Sequence, residues 1–482
     1  MTASAPRPFP DLPASIERIH IIGICGTAMG SLAAMLKSKG FEVRGSDAGA
    51  YPPMSDWLAE RGIEIMPGYK ASNLDWDPDL VVVGNVSRST YADAQETRER
   101  GIPYLSLPEA LRHFFMQGTR NLVFTGTHGK TTTTSMMAWL MHEAGRDPSF
   151  MVGGITGNFD SNFRLGQGDV FVIEGDEYDT AYFDKVPKFW HYAPLRATIN
   201  NLEFDHADIY PDVEAIEQVF ATFVSMIPPE GSLWVNGDDE RVLRVSAHSK
   251  AARKRFGFGP DNDLRATEIE VGAMTSARVH HDGKDLGRFA IPSIGAFNLR
   301  NMLGALGVAL DEGVDVEVCR EAFASFGGVR KRQQLIGQVG DILVYDDFAH
   351  HPSAVAATLE AMRTQFPNRR ILAAFEAKSN TSRRRVFQDL YPPALAQADH
   401  VVLSAPFAKK DNLTPSELVD MDAMQADIQA LGTPTHSIPE VADIVDHLAG
   451  MARPGDVIVG LSGSAFGGLH QKVVDALKAR SV

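Results

Sequence analysis

The feature that most constrains this chain is an apolar stretch that runs into a glycine loop ending in Gly-Lys-Thr, at residues 123–132 (VFTGTHGKTT). A helical pattern follows from Thr133 to Glu143, which gives the strand–loop–helix order of a phosphate-binding P-loop. The amides of such a loop and the N-terminus of the following helix point at anionic oxygens. We therefore predict an α/β domain that binds a nucleotide here.

Two residues of this loop have the side chains that a nucleotide site needs. Lys130 is placed to reach the outer phosphates, and the Thr131 hydroxyl is placed to hold Mg²⁺. The same triplet also occurs in ordinary turns, but here a strand precedes it and a helix follows it. The predicted phosphate-binding residues are Gly126, Thr127, His128, Gly129, Lys130, Thr131 and Thr132.

The length of 482 residues exceeds what one hydrophobic core accommodates and indicates about three domains. The net charge of −15 argues against a function based on binding nucleic acid or a membrane surface. Two cysteines, Cys25 and Cys319, provide neither a disulfide framework nor a zinc set. Because the sequence has neither a signal-peptide pattern nor a long apolar segment, we expect a cytoplasmic protein that does not insert into membranes.

The N-terminal part has a Rossmann-like opening. A buried strand at 18–22 enters a glycine loop at 23–30, a helix is expected from Ser31 to Lys39, and a second strand ends in Ser46-Asp47. Cys25 lies where a dinucleotide fingerprint has its second glycine, so the pattern favours another pyrophosphate at the helix N-terminus. A tight turn without a ligand is the alternative.

Acidic and imidazole side chains follow two central strands. The strand at 169–174 leads into an acidic stretch, and the strand at 196–200 leads into residues 201–208 (NLEFDHAD). Ligands and metals lie at the carboxyl ends of strands in open α/β sheets. We therefore predict that Glu174 holds Mg²⁺ or substrate and that His206 has a functional role.

Asn298 and Asn301 share one face near the start of a helix. Their carboxamides suit the edge of a purine, although asparagine at this position also serves as a helix cap. Residues 250–292 are polar with short alternations, which indicates a peripheral β segment. The last third of the sequence predicts a second doubly wound α/β domain, with strands at 341–346, 370–375, 400–404 and 456–461.

Together these stretches resemble the Mur ligase family, the ATP-dependent enzymes that form amide bonds in peptidoglycan synthesis. The motifs occur in family order: residues 126–132, Glu174 with its acidic stretch, 201–206, 298–301, 331–332 and 346–352. The resemblance implies a three-domain α/β architecture. Its parts are a Rossmann-like UDP-sugar-binding domain at 1–118, a central P-loop ATP-binding domain at 119–332, and a Rossmann-like peptide-binding domain at 333–482.

The resemblance also implies the reaction. ATP would phosphorylate the carboxylate of UDP-N-acetylmuramate, and the amine of a murein peptide would attack the acyl phosphate. Stretches at 23–27, 51–55, 200–208 and 379–381 favour the branch that adds L-alanyl-γ-D-glutamyl-meso-diaminopimelate in murein recycling. The branch that adds L-alanine in de novo synthesis is the alternative. Two Mg²⁺ sites are expected, with ATP as co-substrate, in a monomer or weak homodimer.

The family's site residues are carried over only onto matching positions. The UDP-sugar site would contain Gly26, Thr27, Ala28, Met29, Ser46, Asp47 and His128. ATP would also contact Asn298, Asn301, Arg332 and Asp346. We assign the phosphate contact to Arg332, because Lys331 cannot bind phosphate in a bidentate manner. The metal ligands would be Thr131, Glu174 and His206. The catalytic residues would be Lys130, Glu174, His206, Arg332 and His350, and the peptide-binding residues would be Ser379, Asn380 and Thr381.

Two other classes of function match parts of the sequence. A regulatory P-loop ATPase would use hydrolysis to drive a partner, but ligand-type loops on three domains are more than such a switch needs. Substrate-independent ATP turnover would favour the switch. A nicotinamide dehydrogenase would match the Rossmann-like opening but not Cys25 in its glycine loop.

Overall fold

The computed structural model describes residues 5–52, 54–406 and 413–480. Within these ranges the chain forms three successive sheets flanked by helices, together with a short antiparallel hairpin. The predicted α/β class is confirmed, with Rossmann-like sheets before and after a P-loop sheet. Among the described residues, no helix combines the length and apolar composition that crossing a bilayer requires.

The N-terminal elements are β1 (Arg18–Ile22), α1 (Thr27–Ser38), β2 (Glu42–Asp47), α2 (Met54–Glu60), β3 (Glu64–Pro67), β4 (Leu80–Val83), α3 (Ala92–Glu99), β5 (Tyr104–Ser106) and α4 (Leu107–Phe115). The strands form a parallel sheet in the order β3-β2-β1-β4-β5. The order reverses between β1 and β4, so the loops after these strands flank one crevice. The helix predicted from Ser31 begins earlier, at Thr27, because Gly26 takes the extended backbone of an N-cap.

The central strands are β6 (Arg120–Thr125), β7 (Ser149–Thr156), β8 (Ser161–Arg164), β9 (Val170–Glu174), β10 (Asp179–Ala181), β11 (Asp184–Pro187), β12 (Arg196–Ile199), β13 (Ser232–Asn236), β14 (Ala252–Gly257), β15 (Leu264–Glu270), β16 (Thr275–His281) and β17 (Lys284–Ile291). The central helices are α5 (Lys130–Glu143), α6 (Val213–Ser225), α7 (Glu240–Ser246), α8 (Ala296–Asp311) and α9 (Val316–Ala324). The sheet order is β17-β16-β15-β14-β13-β12-β6-β9-β7-β8, and β10 pairs with β11. The antiparallel strands β15 to β17 extend one edge and confirm the predicted peripheral β segment.

The C-terminal elements are β18 (Gln334–Val339), β19 (Ile342–Asp347), α10 (Pro352–Gln365), β20 (Ile371–Glu376), α11 (Tyr391–Leu395), β21 (His400–Leu403), α12 (Met421–Ala430), β22 (Thr435–Ser437), α13 (Val441–Met451), β23 (Val457–Ser462) and α14 (Leu469–Arg480). The sheet order is β18-β19-β23-β20-β21-β22, with only β18 antiparallel among the described strands. The four strands predicted in this part are all present, each displaced by no more than one residue at either end.

Alternate residues of the central strands pack into different cores. In β6, Val123 joins one core, whereas Leu122 and Phe124 join another. In β20, Ala373 and Leu372 likewise pack into two different cores. Burial on both faces requires a continuous apolar run. Polar chemistry is therefore confined to the strand ends, where the candidate site lies.

Candidate active site

The P-loop connects the carboxyl end of β6 to the N-terminus of α5. Gly129 has a left-handed backbone (φ 84°), and a Cβ there would lie 2.2 Å from Oδ1 of Asn301 and 3.0 Å from Nδ2 of Asn200. Conformation and space both require glycine. The loop is also fixed by Asn201, whose amide group exchanges hydrogen bonds of 2.7 and 3.1 Å with the backbone of His128.

The ammonium of Lys130 is held by the loop and by an acidic side chain. Its Nζ donates to the carbonyls of Gly126 (2.6 Å) and Thr127 (3.2 Å) and lies 2.9 Å from Oε1 of Glu177. Burial alone would lower the pKa of Lys130, but Glu177 and two further carboxylates outweigh burial and raise it. Lys130 is therefore a fixed positive charge beside the loop.

The Thr131 hydroxyl and the Glu174 carboxylate, both predicted as metal ligands, are in contact. The hydroxyl oxygen lies 2.9 and 3.0 Å from the two carboxylate oxygens. The Gly153 amide donates to the same carboxylate at 2.7 Å and fixes its orientation. Burial raises the pKa of Glu174, while the charge of Lys130 opposes that rise. A hydroxyl beside a carboxylate is an oxygen donor set of the kind that Mg²⁺ prefers.

Asp176, Glu177 and His206 form a second group, whose ligand atoms lie within 4.8 Å of one another. Nε2 of His206 is 3.1 Å from Oε1 of Glu177. Oε2 of Glu177 is buried and has no hydrogen-bond partner among the described residues. Burial alone would lower the pKa of His206, but Asp205 and Glu177 raise it to about 9. An orphaned carboxylate oxygen beside an imidazole fits a divalent cation.

Asn298 and Asn301 belong to a chain of buried carboxamides, and each residue is 5% exposed. Oδ1 of Asn301 accepts from Asn200 at 3.1 Å, and Nδ2 of Asn301 donates to Asn298 at 3.3 Å. Asn298 in turn donates to the Ile294 carbonyl at 3.0 Å. Since Asn200 and Asn301 also abut Gly129, this chain supports the P-loop. The predicted contact of both asparagines with adenosine stays a prediction.

The His128 side chain connects the P-loop to the C-terminal part of the chain. Its Nε2 lies 2.9 Å from the Ser353 hydroxyl, which donates to Glu203. Nδ1 of His351 lies 2.8 Å from the same hydroxyl, and its Nε2 lies 3.0 Å from the Phe204 carbonyl. Burial would raise the pKa of Glu203, but the hydrogen bond to His128 contributes most to lowering it to about 2. This cluster joins the ends of β6, β12 and β19.

The loop after β20 contacts the segment after β12. The Thr381 hydroxyl donates to Asp205, and Nδ2 of Asn380 donates to Asp208 at 2.8 Å. Ser379 forms its side-chain hydrogen bond within its own loop. The predicted peptide-binding residues are thus brought beside the acidic segment of the central part.

Three further predicted residues lie around the end of β19. Nδ1 of His350 is 2.9 Å from the Phe348 carbonyl, and burial lowers the pKa of His350. The exposed Arg332 guanidinium lies over the Phe348 ring at 4.7 Å. Asp346 is buried, with Oδ1 3.3 Å from Nε2 of His470, and burial raises its pKa to about 6. Asp346 therefore contacts its own domain rather than the P-loop.

The N-terminus of α1 is open at the predicted pyrophosphate site. Gly26, Thr27 and Ala28 are exposed, whereas Met29 is only 5% exposed and packs into the core below them. Within the described residues, no side chain caps this helix end. Its first amides are therefore available to an anion, as the prediction requires.

Ser46 does not match its predicted position at the uridine end. It is completely buried, and its hydroxyl donates to Asp93 at 2.6 Å and lies 3.1 Å from Nε2 of His20. Its carbonyl accepts from the amide of Gly23 at 2.8 Å. The Ser46 side chain therefore lies inside the domain and supports the glycine loop. Asp47 is partly exposed and stays the candidate on this strand.

A cleft of about 640 Å³ adjoins the cluster of His128, Glu203, His351 and Ser353 and is lined in part by Glu203 and His351. Its lining includes Asn236, Arg300 and Phe387. The Arg300 guanidinium lies 4.7 Å from the Phe258 ring, and its Nε is buried without a hydrogen-bond partner among the described residues. A partly buried cation beside an aromatic ring can contact a nucleoside. Sequence reasoning did not select Arg300, although it lies inside the 298–301 motif.

Ser353 and Glu203 were also missed. Each is an ordinary polar residue in its local sequence, and their contact forms only when the third sheet lies against the second. One signal was present: Pro352 at the first helical position predicts where α10 begins and so puts Ser353 in the first turn beside the two histidines.

Three family models match the chain in order along its length. They are described as Mur ligase family, catalytic domain (residues 18–118), Mur ligase middle domain (124–309), and Mur ligase, glutamate ligase domain (331–464). The chain belongs to the Mur ligase family. In this Mur ligase, the middle-domain match contains the P-loop, Glu174 and the group of Asp176, Glu177 and His206. The match to the third family model contains Ser353 and Thr381.

Similar proteins cover nearly the whole of this Mur ligase. It is 39% identical to the UDP-N-acetylmuramate–L-alanyl-γ-D-glutamyl-meso-2,6-diaminoheptandioate ligase of Escherichia coli (strain K12), over 96% of this chain and 99% of that protein. It is 33% identical to the UDP-N-acetylmuramate–L-alanine ligase of Oleidesulfovibrio alaskensis, over 95% of this chain and 99% of that protein. The crystal structure of a murein peptide ligase from Psychrobacter arcticus 273-4 matches with a TM-score of 0.71 and 34% identity. The match covers 96% of this chain and 99% of that one.

Proposed function

We propose that this Mur ligase joins L-alanyl-γ-D-glutamyl-meso-diaminopimelate to the carboxylate of UDP-N-acetylmuramate in murein recycling, while converting ATP to ADP and phosphate. The higher identity to the tripeptide ligase than to the L-alanine ligase supports this branch. One observation carries the reaction class: the loop with Asn380 and Thr381 is hydrogen-bonded to the segment with Asp205 and Asp208. The predicted acceptor loop therefore contacts the segment whose Asn201 holds the backbone of the P-loop.

The domains would divide the substrates among them. We assign the UDP-sugar to residues 1–118, through the open end of α1 and Asp47. We assign ATP to residues 119–332, with its phosphates on the P-loop and its nucleoside in the cleft that Arg300 lines. The peptide would bind to residues 333–482, through Ser379, Asn380 and Thr381. We also propose a monomer or weak homodimer. A cytoplasmic location agrees with the free thiols of Cys25 and Cys319.

Activation of the sugar substrate requires cations, because the carboxylate and the γ-phosphate repel each other. Lys130 is the fixed cation at the P-loop, and the exposed Arg332 guanidinium can close on the phosphate from the other side. Thr131 with Glu174, and Asp176 and Glu177 with His206, would hold two Mg²⁺ ions. Bound Mg²⁺ would neutralise the negative charge of the phosphates.

Amide formation requires an unprotonated amine and removal of its proton after attack on the acyl phosphate. His350 suits this role because burial lowers its pKa and keeps the imidazole neutral. The bond of Nδ1 to the Phe348 carbonyl makes Nδ1 the protonated nitrogen, so Nε2 has the free lone pair. The His128–Ser353–Glu203 contact holds the third domain over the P-loop, which limits access of water to the acyl phosphate.

The test is phosphate release with ATP, Mg²⁺, UDP-N-acetylmuramate and the tripeptide, with each component omitted in turn. The proposal predicts release only when all are present, and it predicts one ¹⁸O atom in the phosphate when the sugar carboxylate is labelled. Lys130→Met should abolish release, whereas Lys284→Met, at an exposed position on β17, should not. Equal ATP turnover without sugar and peptide would contradict the proposal and indicate a regulatory ATPase.

A further inference from the structure

Three histidines meet on the outer part of the third sheet, away from the active-site loops. His400 begins β21, His436 lies in β22, and His447 lies in α13. The ring centroids are 5.0 Å apart for His400 and His436, 5.4 Å for His400 and His447, and 4.8 Å for His436 and His447. The catalytic loops follow the carboxyl ends of β19, β20 and β23, whereas His400 is at the amino end of its strand.

The fold explains why the three rings converge. His436 pairs with Val402 across the two parallel strands, and His400 lies two residues before Val402. Side chains two apart along a strand share a face, so both rings lie on the same side of the sheet. Val402 packs in one core with Ile444 and Leu448 of α13, which puts that helix over this face. His447 is thereby brought down onto the other two rings.

The distances match a transition-metal site. The ligand nitrogens of all three rings lie within 4.8 Å of one another. Nε2 of His400 and Nε2 of His447 are 3.2 Å apart. Two bonds of about 2.0–2.1 Å to one tetrahedral Zn²⁺ would place their nitrogens about 3.3–3.4 Å apart. The third ring belongs to the exposed His436, which can rotate to complete the set.

The chemical surroundings select the class of cation. The group contains imidazoles and no carboxylate, so it does not suit Mg²⁺ or Ca²⁺. His400 is 7% exposed while His436 is exposed, so the group is open on one side.

We propose that His400, His436 and His447 bind one borderline divalent cation of the Zn²⁺ type, with a fourth position open to water. The ion would tie α13 to β21 and β22 and stabilise this edge of the third sheet. Its place at the amino end of β21 makes the role structural or regulatory rather than catalytic. Nothing in the proposed ligase reaction requires this ion.

The test is Co²⁺ and Zn²⁺ binding to the full-length protein without an affinity tag, at saturating Mg²⁺. Wild type should show the intense visible bands of tetrahedral Co²⁺, and excess Zn²⁺ should remove them. His436→Ala and His447→Gln should each lose these bands and one equivalent of Zn²⁺. His248→Ala, an exposed histidine outside the group, should bind as wild type does. Ligase turnover of His436→Ala should equal that of wild type, which shows that the variant is folded.

Thermal unfolding provides a second readout. Zn²⁺ should raise the Tm of wild type and of His248→Ala, and it should leave the Tm of His436→Ala unchanged, because only binding to the folded state stabilises it. The proposal is overturned if tetrahedral Co²⁺ bands persist in both His436→Ala and His447→Gln. It is equally overturned if wild type and His436→Ala take up the same amount of Zn²⁺.

Discussion

The Nε2 atom of His128 and the Ser353 hydroxyl lie 2.9 Å apart, although 225 residues separate them in the chain. One residue is in the P-loop, and the other is in the first turn of the helix after β19. Glu203 accepts from the same hydroxyl, so the contact is a small network rather than a single bond. We expect closure of the third domain over the P-loop to depend on it.

Ser353→Ala should lower kcat/KM for the ligase reaction about tenfold to a hundredfold, because a misplacement of about 1 Å costs on that order. The variant leaves Glu203 and His128 without their common partner. Thr364→Ala removes a hydroxyl on the exposed side of the same helix and should leave turnover unchanged. Steady-state kinetics on both variants check this. Equal kinetics of Ser353→Ala and wild type would rule out the network as part of closure.

Gly129→Ala should lower ligase activity at least about a hundredfold, since a Cβ would displace Asn301 and with it the P-loop. Gly145→Ala is the matched control at the other end of α5. It has a similar backbone (φ 70°), but nothing lies within 4 Å of its Cβ position. That variant should lose about 1–2 kcal/mol of stability from backbone strain and keep its activity. Equal losses of activity would mean that strain, and not the contact with Asn301, is responsible.

Glu174→Gln should raise the Mg²⁺ concentration for half-maximal activity at least about tenfold, the smallest loss of metal affinity typical for changes near a metal ligand. Glutamine keeps the shape and the bonds to Thr131 and Gly153 but removes the negative charge. Titration of activity with Mg²⁺ at saturating ATP measures the shift. An unchanged Mg²⁺ dependence would exclude Glu174 as a ligand.

His20 should make the stability of the N-terminal domain depend on acid. Burial lowers its pKa to about 3 in the folded state, against 6.5 when exposed. The contribution of His20 to the free energy of unfolding is therefore fully present above pH 6.5. It decreases as the pH falls from 6.5 towards 3, because only the unfolded chain takes up the proton. The loss is about 2 kcal/mol at pH 5.

The pH dependence of thermal unfolding of His20→Gln, compared with wild type, isolates this effect. The glutamine variant should lose less stability between pH 7 and pH 5 than wild type does. His248→Gln should follow wild type, since that histidine is exposed. Parallel curves for His20→Gln and wild type would show that His20 is protonated in the folded state.

The strands and the loops at their carboxyl ends could be predicted from the sequence, because burial on both faces of a parallel sheet leaves a continuous apolar signal. For that reason Glu174 was expected at a strand end. Its pairing with Thr131 was implied only by the family resemblance, and the two side chains are in contact. The roles of single polar residues were harder to predict. Ser46 follows the same strand-end pattern as Asp47, but its side chain points into the domain.

Contacts between domains could not be predicted. Pro352 places Ser353 in the first turn of α10, but no local pattern pairs Ser353 with Glu203, since their meeting depends on how two sheets pack together. The buried chain through Asn200, Asn301 and Asn298 was missed for a similar reason: the motif indicated carboxamides on one helix face but not that the P-loop lies against that face.

The most direct measurement of the central claim is a competition in one reaction. ATP, Mg²⁺ and UDP-N-acetylmuramate are mixed with equal concentrations of L-alanine and L-alanyl-γ-D-glutamyl-meso-diaminopimelate, and the products are identified by mass. We predict that the UDP-N-acetylmuramoyl tripeptide forms in large excess. Predominant formation of UDP-N-acetylmuramoyl-L-alanine would contradict the account and move this Mur ligase to the alanine-adding branch.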